Sequence, residues 1–188
     1  TIGSINEINI AEGMQGSDWS FSDINLTNYK TFSFTDKNFF NDFYYQTGLA
    51  LLSDKEFSSA YIILKDFVAN NNDNDYAHNL AGIVSYILGN NLDAFLHIKK
   101  AIAINPTSDN YYFNLYFLNE ANENYDEALK NISSAIQLNG ESPEYHYMRA
   151  ELYMLKKYWN EAIADYSKFI QSDRNITSYP YFQRAVAK

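Results

Sequence analysis

The side chains best suited to proton transfer or metal ligation near neutral pH are the three histidines, His78, His97 and His146. There is no cysteine, which excludes disulfides, thiolate nucleophiles and cysteine-based metal sites. His97 has Asp93 one helical turn before it, and the pair reads as a surface Asp93–His97 contact. His78 and His146 read as packing residues. The motifs of hydrolases, zinc proteases and phosphate-cradling loops (GxSxG, HExxH, a glycine-rich loop with lysine) are missing. Gly13-Met14-Gln15-Gly16 has the spacing of an RNA-binding GxxG loop but no basic neighbour. The Asn/Asp run from Asn70 to Asp75 lacks the sixth-position glycine and closing glutamate of a calcium loop, and reads as a solvated connection. The Asn-Xaa-Ser/Thr triplets at Asn25, Asn131 and Asn175 are what chance yields in so Asn-rich a chain. No nucleophile–base pair, metal set or cofactor site results, so the expectation is no enzyme, no metal and no cofactor.

Hydrophobic residues make up 46% of the 188, with 17 Tyr, 13 Phe and 2 Trp, which is enough for a packed core. The formal net charge of −9, without a basic run, argues against nucleic acid and for a neutral or basic partner. No apolar stretch approaches the ~20 residues of a membrane-spanning helix. The chain begins at Thr1 without a visible signal segment. It therefore reads as a trimmed piece of something longer, and its compartment (cytoplasm or bacterial periplasm) stays open.

The elements that would carry any function follow from a repeat of 34 residues. Ala60, Ala94, Ala128 and Ala162 recur at that interval, with Leu64, Ile98, Ile132 and Tyr166 four places on and Phe67, Ala101, Ala135 and Phe169 seven places on. Twelve places before each alanine stand Gly48, Gly82, Tyr116 and Ala150. Small residues on both partners let two helix axes approach, while larger groups at spacings of three and four make one apolar face per helix. Tyr116 breaks the rule: either the third hairpin opens or its ring leans aside. Over roughly residues 41 to 174 this pattern resembles the tetratricopeptide repeat family.

The resemblance implies an all-α, right-handed superhelical array of antiparallel A and B helices. The expected repeats are about 41–74, 75–108, 109–142 and 143–176, within an array spanning 35–188. Phe182-Gln183-Arg184-Ala185 echoes Tyr147-Met148-Arg149-Ala150, so 178–188 is expected to start a fifth A helix or to cap the stack. Thr35, Asn74, Ser108 and Ser142 are expected N-caps, with Pro143 in a first turn and Pro106 ending a B helix. Residues 1–34 fall outside the repeat. Trp19, Phe21, Phe32 and Phe34 alternate there as in a small hairpin or an extended arm, and are expected to dock on this chain or a partner.

In the family the resemblance points to, positions 2, 5, 6, 9 and 12 of each A helix face a concave groove. Carried over, the first repeat contributes Asp42, Tyr45, Gln46, Leu49 and Leu52, and the second Tyr76, Asn79, Leu80, Ile83 and Tyr86. The third contributes Asn110, Phe113, Asn114, Phe117 and Glu120, and the fourth Glu144, Tyr147, Met148, Glu151 and Met154. None is Lys or Arg, so a groove gripping a chaperone's C-terminal carboxylate through cations is not expected. Three amides among aromatic and aliphatic groups suit an extended or helical segment with apolar anchors. The residues expected to grip it are Tyr45, Leu49, Tyr76, Asn79, Ile83, Tyr86, Asn110, Phe113, Asn114, Phe117, Tyr147 and Glu151. The implied function is a scaffold or adaptor binding another protein. The alternatives are self-association through the N-terminal arm, and regulation of a catalytic part outside this sequence.

Overall fold

A computed structural model of the chain describes residues 47–172 and 178–187, and every regular element among them is helical. The expectations for residues 1–34, for the cap Thr35 and for Asp42, Tyr45 and Gln46 lie outside the described residues. The helices are α1 (47–53), α2 (Phe57–Asn70), α3 (Asp75–Ile87), α4 (Asn91–Ile104), α5 (Asp109–Ala121), α6 (Tyr125–Leu138), α7 (Pro143–Leu155), α8 (Trp159–Ser172) and α9 (Ser178–Val186). The chain divides between Ile104 and Asn105 into two compact units. In the first, α3 packs against α2 and α4; in the second, α5–α6 and α7–α8 form close pairs, α6 meets α7, and α9 lies against α8.

The repeating alanines mark the helix contacts. Ala60, Ala94, Ala128 and Ala162 are all 0% exposed, and Leu64, Ile98, Ile132 and Tyr166, one turn on, are at most 1% exposed. A Cβ on Gly82 would lie 2.5 Å from Ile98 Cγ1 and 3.2 Å from the Ala94 carbonyl oxygen, so hydrogen is the side chain that fits. At Gly48 the corresponding approach is 3.0 Å to Leu64 Cδ2. In the first unit these contacts join Leu49, Leu52, Leu64, Leu80, Ala81 and Val84 into one core. Tyr116 leans aside: its buried ring stacks on Phe113 (centroids 5.9 Å apart) and touches Phe117 (5.1 Å), while Ala128 stays fully covered.

Each A–B turn closes the same way. Lys55, Gly89, Glu123 and Lys157, again 34 residues apart, have φ of 61°, 79°, 58° and 61°. The residue after each returns its N–H to a carbonyl five back: Glu56 to Leu51, Asn90 to Ser85, Asn124 to Asn119 and Tyr158 to Tyr153, all at 2.8 Å. This is a left-handed helix end that satisfies otherwise orphaned carbonyls. Only Gly89 adopts it without steric cost. Of the expected caps, Asn74 accepts from the Ala77 N–H at 2.8 Å. Ser108 and Ser142 occupy the cap position, but their side chains do not cap: the Ser142 hydroxyl turns instead to Glu144 Oε2 at 2.9 Å.

Candidate functional site

Among the residues expected to face a partner, those on α5 and α7 can be followed as one surface. Asp109 and Asn110 open α5, and the Tyr145 hydroxyl of α7 donates to Asp109 Oδ2 at 2.9 Å and lies 3.4 Å from Asn110 Oδ1. Burial and the Asp109 carboxylate both push the Tyr145 hydroxyl above the ordinary tyrosine range. The Phe113 ring packs 4.8 Å from Tyr145 and, edge-on, 4.8 Å from Phe117. Phe113 is thus the buried bridge between α5 and α7, and Phe117 the partly exposed ring beside it. Asn114 is buried too, whereas Asn110 is exposed.

On α7, Tyr147 lies half-buried, 5.0 Å from Phe169 and 6.1 Å from Tyr166 of α8. Glu151 accepts the Tyr166 hydroxyl at 2.5 Å. Burial raises the Glu151 carboxyl above its usual range, while hydrogen bonds from Tyr166 and Tyr147 pull the other way. Tyr116 is also raised, first by its burial and then by the negative charge of Glu120 and Glu151. Phe117, Tyr147 and Glu151 are each partly exposed, Phe117 beside the buried Tyr116 ring and Glu151 and Tyr147 near enough to act on its hydroxyl. The cation Arg149 is paired with Asp165, giving Nε to Oδ2 at 2.6 Å and a terminal nitrogen to Oδ1 at 2.9 Å.

In the first unit, Leu49, Asn79 and Ile83 are buried, and Tyr76 and Tyr86 are half-buried on α3. Tyr45 is outside the described residues. Only the half-buried and exposed positions offer side chains to a partner from the outside. Leu49, Asn79 and Ile83 in the first unit, and Phe113 and Asn114 in the second, are buried.

Two buried polar pairs were not anticipated. His78 Nδ1 lies 3.0 Å from His97 Nδ1, with both side chains inside the α3–α4 pair. This corrects the reading of His97 as a surface partner of Asp93: His97 is 8% exposed, and the Asp93 carboxylate is engaged instead by the Tyr61 hydroxyl and Lys65. Nineteen residues also separate His146 from Asp165, whose Nδ1 and Oδ1 are 2.9 Å apart. Period arithmetic carries the signal, since 146 − 78 and 165 − 97 are both 68, two repeats. Among the described residues no three acidic, histidine or cysteine side chains are grouped as metal ligands, and no helix is long and apolar enough to cross a membrane.

Paired helices, buried alanines at the 34-residue interval and left-handed turns together define the tetratricopeptide-repeat fold. Solved structures agree. The chain is similar to the MamA protein (TM-score 0.72, 21% identity, covering 78% of this chain and 80% of that one). It is also similar to YrrB, a TPR protein "with an unusual peptide-binding site" (TM-score 0.68, 17% identity, 77% and 74% covered). PilF of Pseudomonas aeruginosa is a third such structure (TM-score 0.67, 18% identity, 81% and 69% covered). No family model and no curated protein matches the sequence.

Proposed function

We propose that this chain is a non-catalytic protein-interaction module that holds a segment of a neutral or basic partner against the α5–α7 surface. The observation that carries this reading is the ring cluster of Phe113, Tyr116, Phe117 and Tyr145, with the half-buried Tyr147 and Glu151 close enough to act on Tyr116. Aromatic rings held by packed neighbours offer large apolar area at small entropic cost, the usual composition of energetic anchors. Asn110 adds an amide that can both donate to and accept from a peptide backbone. Glu151, with Arg149 tied to Asp165, favours a segment carrying Lys or Arg beside its apolar anchors. The fold's likeness to a described peptide-binding protein supports the same reading. In the first unit Tyr76 and Tyr86 are the half-buried residues at the corresponding steps.

Selection of random displayed peptides on the full chain tests the proposal. The selected peptides should combine an apolar or aromatic anchor with a basic residue, and Tyr147→Ala and Phe117→Ala should each weaken them about tenfold or more, the range of a modest hot spot. Peptides that are acidic, or that bind both variants as tightly as the parent, would place the binding surface elsewhere.

A further inference from the structure

We propose that the buried contact between His78 and His97 is an acid-sensitive latch, joining α3 to α4 at neutral pH and letting the pair open in a mildly acidic medium. Two Nδ1 atoms 3.0 Å apart can share only one proton between them: one ring donates N–H and the other accepts. The rings are 5.3 Å apart, centre to centre, with 5% and 8% of the two residues exposed. One further proton, on the free Nε2 of the donating ring, puts positive charge where little water reaches, and a second, making both rings cations, sets N–H against N–H. His78 Nε2 is buried and makes no hydrogen bond of ordinary geometry. The Asn72 main chain draws a proton toward that ring, but more weakly than burial repels it.

The surrounding charges give a further proton little help. From α4, Lys100 opposes one on His78. Asp93 favours one on His97, but that carboxylate is already held by Tyr61 and Lys65 of α2, and Lys65 itself opposes the proton. Asp75 stands in the first turn of α3, ahead of His78. Burial is the largest influence on both rings and holds both below the ordinary histidine value. The sign follows from linkage. Opened chain takes up protons near pH ~6.5, whereas the closed pair resists them, so falling pH favours the open form by up to about tenfold per pH unit for each proton. The matching place in α7–α8 holds Asp165 opposite His146, a carboxylate instead of a second imidazole.

Hydrogen exchange of the full chain, read by mass spectrometry at pH 7.5 and pH 5.5 and corrected for intrinsic rates, tests the latch. Protection of 75–104 should fall at least tenfold more than that of 143–172. His97→Asn, which copies Asn131 at the equivalent step of the next hairpin, should remove that difference. His97→Gln serves the same purpose if the first variant does not fold. Equal loss of protection in both segments of the parent chain, or an undiminished acid response in a folded variant, would overturn the proposal.

Discussion

His78 and His146 stand at the same step of the repeat, as do His97 and Asp165, and the two buried pairs have nearly the same spacing, 3.0 and 2.9 Å. Their chemistry is opposite. The α3–α4 pair is two imidazoles with Ala81 where α7–α8 has Arg149. In the α7–α8 pair Asp165 is also held by a cation, Arg149, which grips both its oxygens and reaches Ser133 Oγ at 3.2 Å. The period therefore dictates that two side chains 19 residues apart will meet inside a hairpin, but not what they exchange. One hairpin solves the buried polar slot with a shared proton, the other with a paired charge.

The comparison is most sharply tested by exchanging the chemistries. Asp165→His leaves the largely buried Arg149 without its carboxylate and should cost about 3–5 kcal/mol in urea unfolding of the full chain, the usual result of orphaning a buried charge. A loss below about 1 kcal/mol, the range of exposed pairs, would mean that the Arg149–Asp165 pair is a surface ornament. Next in size is the small-residue contact. Gly82→Ala, facing Ile98 at 2.5 Å, should destabilise by about 1–3 kcal/mol through overpacking. The same substitution reversed at the matching step of α7, Ala150→Gly, should cost about 1–2 kcal/mol, through helix propensity and the loss of a buried methyl. Smallest are the turns. Lys157→Gly should stabilise by about 0.5–1 kcal/mol, since Lys157 sits at φ 61°, while Gly89→Lys at φ 79° should lose a similar amount. Equal signs for those two would show that side-chain contacts outweigh backbone conformation there.

Much of the fold could be read from residues alone, because close packing leaves few options. Only small side chains fit where Ala60, Ala94, Ala128 and Ala162 lie, and their interval located the helices that the structure shows. Asn74 was legible as a cap for a similarly local reason. The surface was less legible. Phe113 and Asn114 occupy steps assigned to a groove but are buried, Phe113 against the Tyr145 ring of α7. The partner of His97 is 19 residues away on another helix, which the residues one turn along its own helix do not reveal. The expected caps Ser108 and Ser142 failed for a subtler reason: a hydroxyl chooses among several neighbours, and Ser142 found Glu144.

The same backward-curling step at Lys55, Gly89, Glu123 and Lys157 has a consequence for how such a chain can change over time. Three of those places tolerate charged residues, so the bend is set by main-chain bonds to Leu51, Ser85, Asn119 and Tyr153 rather than by any one amino acid. Corners drawn by the backbone relieve the letters around them of that duty. A sequence can then wander until no family profile claims it, while its rods still fold back on one another at every corner.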